Sequence, residues 1–421
     1  MKSPIVIPVV MVSLLFTSEY AISKDSLWIG EYRQYDTSNS PLLNDGIFTI
    51  EVDRSGNVWA GSSYADGGLA FYDGNSWKVY TKDNSPLPCN KIRKIAEDFN
   101  NNIWIGTDSG LVKYNGMEWT VFTPLNSPME VYHVWSIAID RNNNVWFGNG
   151  NVDEGGLMFF NGNEWKLFTP ENSILPNRVV NDIVIDYNNT VWIATTQYQG
   201  GGGLVRIEGD SWTFYNKSNS IMQYNSVEEL ALDSGGNIWV GQDGKFYLID
   251  TLDGALMTVS SDGNRWAINN PSQSGKSSNS ITAIACDKRG YIWVTTSVGN
   301  HWDYSFSIYN KKQWLTFSVV EDDTSRPYYM PDIAVDNDNN IWFATDHGVL
   351  MLKQDTTAID AMFSSGVAVH EINFFRRGKT ATTQFDLLGR KIRRVNGTRV
   401  KPGGVVIESG NNSVKRIINI K

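Results

Sequence analysis

Apolar and polar residues alternate over short stretches of this chain, and residues typical of tight turns interrupt the alternation at regular intervals. In one example, Ile95 precedes Asp98 by three positions, and Asn101, Ile103 and Trp104 follow it. Asn and Gly adopt positive φ at low steric cost, Asp can bond the backbone of its own turn, and β-branched residues favour strands. The pattern therefore predicts a β-hairpin with a tight turn between two apolar strands.

This hairpin pattern occurs seven times, and its tryptophans are 42 to 54 residues apart. The tryptophans are Trp59, Trp104, Trp146, Trp192, Trp239, Trp293 and Trp342. Two more short strands separated by a turn follow each of the first six hairpins, as at Leu111–Tyr114 and Trp119–Thr123. Four short strands per repeat at this period are typical of a propeller blade, whereas helical repeats need long stretches with a period of 3.6. The sequence predicts an all-β, seven-bladed β-propeller.

The seventh repeat lacks a fourth strand. After Val349–Lys353 no tryptophan-led strand follows, but a matching stretch, Trp28–Tyr35, precedes the first repeat. We expect this N-terminal strand to complete the last blade, which closes the ring and leaves no free sheet edge.

The repeats resemble those of the two-component regulator propeller family. The resemblance rests on DRSGNVWAG, DFNNNIWIGTDSGLVKYNGMEWTVF and DSGGNIWVG, and it covers about residues 28 to 353. Such propellers often form the extracellular sensor half of a hybrid kinase, commonly one associated with polysaccharide use. We expect neither a transmembrane segment in the mature chain nor a kinase here, so the resemblance implies a binding surface rather than a signalling output.

The two ends of the chain predict export. Residues 1–23 combine Lys2, the apolar run Ile5–Phe16 and small residues at Ala21 and Ser23, which is the pattern of a cleaved secretory signal. The propeller would then occupy residues 24–355. Residues 356–421 carry twelve Lys and Arg against four Asp and Glu. Their FDLLGRKI, PGG and VKRIINIK segments resemble the C-terminal sorting domains of type IX secretion, which implies a small β-sandwich, contact with the secretion machinery, and a location at the cell surface or in the medium.

Charge and composition exclude several classes of function. The formal net charge of −9 argues against a nucleic-acid-binding surface over the whole protein. The two cysteines, Cys89 and Cys286, are interpreted as small buried thiols. Acidic turns such as DNDNN at 336–340 suggest calcium, but an Asp that recurs in all seven hairpins is better explained by the turn. We expect no metal and no cofactor.

Function is expected where the repeats differ. In each hairpin the Asp that begins the turn, such as Asp98, is called the motif Asp. The residues seven and five positions before it vary freely and include aromatic and charged types. They would surround the central channel, where they could stack on a sugar and bond its hydroxyls, or could dock a peptide. The predicted ligand-binding residues are Arg93, His133, Trp135, Asn181, Glu228 and Tyr329. This predicts a non-catalytic module that binds an extracellular glycan or protein.

An enzymatic alternative remains open. Streptogramin lyases resemble this chain in being seven-bladed propellers with tryptophan-bearing repeats, and some polysaccharide lyases use a His or Tyr base on the same face. The candidates here are His133, His301 and His347; no two share a motif. The alternative is a lyase or hydrolase acting on an extracellular polysaccharide or a small cyclic substrate.

Overall fold

The structure is a computed structural model that describes residues 29–198, 201–242, 255–269, 279–298, 303–320, 329–365, 369–373, 384–385, 391–392, 405–410 and 413–419. The predicted signal peptide, residues 1–23, lies outside these ranges. Among the described residues, no helix has both the length and the apolar character needed to cross a bilayer.

The described strands form seven antiparallel blades, and the first strand of each blade contacts the first strand of the next around a closed ring. This confirms the all-β, seven-bladed prediction. Blade one contains Ile47–Val52, Val58–Ser62, Leu69–Tyr72 and Trp77–Tyr80. Blade two contains Ile92–Glu97, Ile103–Thr107, Gly110–Tyr114 and Trp119–Phe122. Blade three contains Ser136–Ile139, Val145–Gly150, Gly155–Phe160 and Trp165–Phe168.

The remaining blades follow the same order. Blade four contains Val180–Ile185, Val191–Tyr198, Gly201–Glu208 and Ser211–Tyr215. Blade five contains Val227–Leu232, Asn237–Gln242, Ala255–Ser260 and Trp266–Ile268. Blade six contains Asn279–Cys286, Ile292–Val298, Asp303–Tyr309 and Trp314–Val320, with Val369–Asn373 added in parallel to its outer strand. Blade seven contains Asp332–Val335, Ile341–Thr345 and Gly348–Gln354.

The outer strand of blade seven comes from the start of the described chain. Gly30–Tyr35 pairs antiparallel with Gly348–Gln354, with Gly30 opposite Gln354 and Tyr35 opposite Val349. The Tyr35 ring stacks on Trp342 of the same blade, with ring centroids 6.2 Å apart. One sheet therefore joins the first and last strands of the propeller.

The motif Asp organises every hairpin. Its Oδ1 accepts the backbone N–H four residues on, at 2.8–2.9 Å in all seven blades. Its Oδ2 accepts the indole N–H of the motif Trp, at 2.8–3.3 Å in all seven. The six-residue spacing from Asp to Trp thus allows one carboxylate to hold both the backbone of the turn and the indole ring in place.

The residue three positions after the Asp takes positive φ in each hairpin. Where it is Asn, φ lies between 62° and 65°. Three of these asparagines also bind the preceding blade, because the Oδ1 atoms of Asn143, Asn189 and Asn339 accept the backbone N–H of Phe99, Arg141 and Lys288, each at 2.7 Å. Asparagine at this position therefore links neighbouring hairpins, which Gly cannot do.

The motif tryptophans pack between blades. Trp59, for example, lies in one buried cluster with Ile95 and Val112 of blade two. Equivalent packing around the ring makes the hydrophobic core a series of inter-blade layers, which is how a propeller buries the faces of its sheets.

A helix, α1, covers the outside of blades six and seven. It spans Thr356–Ser365 and begins after Asp355, whose Oδ1 caps it by accepting the N–H of Ala358 at 2.9 Å. Ile359, Met362 and Phe363 are buried in the core of those two blades. The first ten residues of the predicted C-terminal domain thus pack on the propeller.

Beyond α1, the described residues include two two-stranded sheets, Gln384–Phe385 with Lys391–Ile392 and Val405–Gly410 with Ser413–Asn419. The rest of residues 366–421 lies outside the described ranges, apart from Val369–Asn373. The β-sandwich and its sorting role stay predictions.

Candidate functional site

Five of the innermost strands carry a β-bulge at the same repeat position, five residues before the motif Asp. In blade two, for instance, Ile92 lies opposite Thr107 and Lys94 lies opposite Gly106, so Arg93 is the extra residue. The bulge residues are Phe48, Arg93, Asn181, Glu228 and Thr282. A bulge redirects the side chain of its extra residue, and here it directs five unlike side chains to one place.

These five bulge residues line a cavity of about 570 Å³, here called the channel pocket. Trp135, Tyr329 and Pro331 also line it. All seven blades contribute a residue at or just before their innermost strand, so the pocket lies on the central axis of the propeller. Its volume falls in the range of about 300–1,000 Å³ that small-molecule sites occupy.

Five of the six predicted ligand-binding residues line the channel pocket: Arg93, Trp135, Asn181, Glu228 and Tyr329. His133 does not line it. Its Nδ1 lies 3.8 Å from Oδ1 of Asp108, and its ring centroid is 6.0 Å from that of Trp135. His133 is therefore close to Trp135 but outside the lining of the pocket.

Arg93 holds the aromatic side of the pocket. Its Nε and Nη2 donate to the two carboxylate oxygens of Asp108 at 2.5 and 2.8 Å. Its guanidinium carbon lies 4.6 Å from the ring centroid of Trp135 and 5.6 Å from that of Phe48. Burial acts to raise the pKa of Asp108, but Arg93, with His133 and Lys91, lowers it below the ordinary value. Arg93 thus orients Trp135, and two of its donors are already used.

Asn181 and Glu228 connect blades four and five at the pocket. Asn181 Nδ2 donates to Glu228 Oε2 and to the carbonyl oxygen of Val227, each at 2.9 Å. Ser226 Oγ donates to Glu228 Oε1 at 2.6 Å. The Glu228 carboxylate is therefore held in a fixed position in the pocket lining.

A charged ring, which the sequence interpretation missed, also lines the pocket. It consists of Lys94, Asp182, Glu229 and Asp332, each four residues before a motif Asp. Lys94 Nζ lies 3.9 Å from Asp332 Oδ1. The sequence signal was that four of the seven repeats have a charged residue at this one position.

Two carboxylates of the charged ring bind the next blade. Asp332 Oδ2 accepts Thr49 Oγ1 at 2.9 Å and the N–H of Ile50 at 3.0 Å. Asp182 Oδ2 accepts the N–H of Leu230 at 2.9 Å. These bonds tie blade seven to blade one and blade four to blade five at the channel.

The charged ring has more negative charge than Lys94 can balance. Burial and the nearby charge of Asp182 raise the pKa of Glu229 well above its ordinary value, against the opposing effect of Lys94. Burial also raises the pKa of Asp182. Burial would lower the pKa of Lys94, but the carboxylates around it, including Glu51, raise it. Lys94 therefore stays protonated, while Asp182 and Glu229 resist ionisation.

Of the histidines considered for catalysis, the structure describes His133 and His347, which belong to different blades. His347 Nε2 lies 3.7 Å from Oδ1 of Asp346 in a turn of blade seven, and Asp346 Oδ1 accepts the N–H of Tyr329 at 2.9 Å. His133 belongs to blade three, and His301 lies outside the described residues. Within the described ranges, no cluster of three or more His, Cys, Asp or Glu side chains could hold a metal ion.

Comparison with known families supports the repeat assignment. A model of the two-component regulator propeller matches residues 86–109 and 275–297, which include or adjoin the hairpins of blades two and six. Comparison with curated protein sequences gives no match.

Solved structures show the same fold at low sequence identity. The chain is similar to the extracellular domain of a hybrid two-component system from B. thetaiotaomicron, with 18% identity and a TM-score of 0.60 over 89% of this chain and 46% of that one. Virginiamycin B lyase from Staphylococcus aureus is 13% identical to this chain, with a TM-score of 0.57 over 76% of this chain and 98% of the lyase. PorZ, a surface component of the type IX secretion system of Porphyromonas gingivalis, is 16% identical, with a TM-score of 0.54 over 89% of this chain and 59% of PorZ. The chain thus spans less than half the length of the sensor chain.

Proposed function

We propose that this protein is an exported, non-catalytic binding module whose channel pocket takes part of a glycan or protein ligand. The observation that carries the proposal is that β-bulges in five of the seven innermost strands turn unlike side chains toward one cavity on the axis. The Trp135 side chain, 36% exposed, offers a stacking surface, and Glu228 and Asn181 offer polar groups held in place.

Similarity to two extracellular or surface proteins supports the location that we propose. The propeller of the sensor chain belongs to an extracellular domain, and PorZ is a bacterial surface component. The proposed export route uses residues 1–23 as the signal and residues 356–421 as a type IX sorting domain. Cell fractionation followed by mass spectrometry of the exported chain tests this, because the mature N-terminus is expected near Lys24.

A glycan array and a surface-protein pull-down with the full chain test the binding function. Trp135→Ala is expected to weaken binding of any captured ligand at least about tenfold, as loss of a central aromatic contact typically does. Tyr187→Ala is the control, because Tyr187 is an exposed aromatic residue in a hairpin turn outside the pocket lining. Equal effects of the two substitutions would place the ligand elsewhere.

The lyase or hydrolase alternative rests on the two described histidines that have an aspartate within 4 Å. His133 lies 3.8 Å from Asp108, and His347 lies 3.7 Å from Asp346. Incubation with extracellular polysaccharides and with cyclic peptide substrates tests it. Product formation that His133→Ala or His347→Ala abolishes would support catalysis over binding.

A further inference from the structure

The channel pocket contains more acidic than basic side chains. Asp182, Glu228, Glu229 and Asp332 line it on the acidic side, and Arg93 and Lys94 on the basic side. Arg93 is bound through two hydrogen bonds to Asp108, which is not in the lining. Lys94 is the remaining cation of the lining, and its nearest ion-pair partner is Asp332 at 3.9 Å.

The Glu229 carboxylate has neither a hydrogen bond nor an ion pair within 4 Å among the residues that the structure describes. Lys94 attracts it from farther away, whereas Asp182 from the neighbouring blade adds like charge. Glu229 is half-buried in the pocket lining, and a carboxylate that is partly withdrawn from water is destabilised unless a cation or a hydrogen-bond donor pairs with it. A protein that keeps such a group in a preformed cavity commonly does so because a ligand supplies the missing partner.

The cavity and this unpaired carboxylate together indicate the charge of the ligand. We propose that the ligand of the channel pocket carries an ammonium or guanidinium group that binds Glu229 and Asp182 while its less polar part contacts Trp135. The inference rests on the proposed ligand-binding function of this pocket. The shared chemistry is a cationic nitrogen, which could come from a de-N-acetylated amino sugar or from a basic residue of a peptide.

The positions of the other charges favour this location within the pocket. Lys94 from blade two lies nearest to Asp332 of blade seven, 3.9 Å away, so its charge is strongest on that side of the pocket. Asp182 and Glu229 come from blades four and five, which the Asp182–Leu230 hydrogen bond holds together. A ligand cation is therefore expected on the side of blades four and five.

Isothermal titration calorimetry of the full chain at pH 6 tests the inference with paired probes. The first pair is a glucosamine trisaccharide and its fully N-acetylated counterpart, and the second is trilysine and its Nε-acetylated counterpart. We expect at least one free amine to bind about tenfold or more tightly than its acetylated form. The pair that shows this difference identifies the source of the cation.

Glu229→Gln keeps the shape of the side chain and removes its charge. It should weaken the amine probe about tenfold and leave the acetylated probe unchanged. Glu164→Gln is the control, because Glu164 is an exposed carboxylate in a turn outside the pocket lining. Thermal melting of both variants establishes that they are folded.

Two results would overturn the inference. If free and acetylated probes bind equally and Trp135→Ala weakens both, the pocket binds ligand but the cation is not what it recognises. If no amine binds at millimolar concentration, the inference fails. The proposed function is then judged separately by the glycan array and the pull-down.

Discussion

The hydrogen bond from the motif Trp to the motif Asp yields a sharp stability prediction. In Trp104→Phe most of the ring packing remains, but the indole N–H that donates to Asp98 Oδ2 at 2.9 Å is lost. A hydrogen bond to a charged group contributes about 1.5–3 kcal/mol, and the lost ring atoms leave a cavity that costs roughly 1 kcal/mol. We therefore expect the free energy of unfolding to fall by about 3 kcal/mol.

Trp77→Phe provides the matched control. Trp77 begins the outer strand of blade one, is only partly buried, and its indole N–H has no hydrogen-bond partner in the described structure. The same chemical change should therefore cost about 1 kcal/mol or less, because no hydrogen bond is broken. Urea denaturation of both variants, followed by far-ultraviolet circular dichroism, measures the difference.

The pH dependence separates the hydrogen bond from packing. Burial opposes ionisation of Asp98, but hydrogen bonds from Asn102, Trp104 and Asn100 lower its pKa below the ordinary 3.8. A lowered pKa stabilises the fold above the unfolded value, and that stability is lost as the pH falls through the folded value. The cost of Trp104→Phe should therefore be full at pH 7 and shrink below about pH 4. Equal costs for the two variants at pH 7, or a cost that does not change with pH, would refute the argument.

Three further predictions concern other parts of the fold. Asn143→Gly should lower the free energy of unfolding by about 1 kcal/mol more than Asn101→Gly in thermal or urea unfolding. Both residues have positive φ, but only Asn143 accepts an N–H from the preceding blade. Equal effects of the two substitutions would contradict this. Glu229→Gln should raise the melting temperature by roughly 1–3 °C at pH 8. Because the pKa of Glu229 is raised in the folded protein, its ionisation destabilises the fold, and the gain from removing the charge should grow as the pH rises from about 4.5. Phe363→Ala should lower the free energy of unfolding by urea by about 3 kcal/mol, whereas Thr357→Ala, at an exposed position of α1, should change it little. Equally small effects of both substitutions would show that the helix does not pack on the propeller.

The blade count was predictable because the hairpin needs particular residue types. Positive φ restricts one position to Gly or Asn, and the carboxylate that binds both the turn and the indole restricts two more. Each requirement is local, so it can be recognised within nine residues of sequence. The pairing of Gly30–Tyr35 with Gly348–Gln354 is not local, and only the count of strands in the seventh repeat pointed to it.

The charged ring was missed because of the bulges. A regular strand places alternate residues on opposite faces, but the bulge allows two consecutive residues, such as Asn181 and Asp182, to line the same pocket. The bulge residues include Phe48, Arg93 and Asn181, which share no size, charge or propensity. No residue type therefore marked the bulge. The residues four positions before the motif Asp, such as Asp182 and Glu229, could not be predicted to line the pocket.

The same side-chain type serves the fold in one place and the site in another, and its partners decide which. Asp98 accepts hydrogen bonds from Asn100, Asn102 and Trp104, and its pKa is lowered. Glu229, in the lining of the channel pocket, accepts none from the described residues, and its pKa is raised. Removing the Asp98 charge should therefore destabilise the protein, whereas removing the Glu229 charge should stabilise it. A position whose native charge opposes folding is one that folding alone does not explain, and this makes Glu229 the residue on which the ligand hypothesis depends.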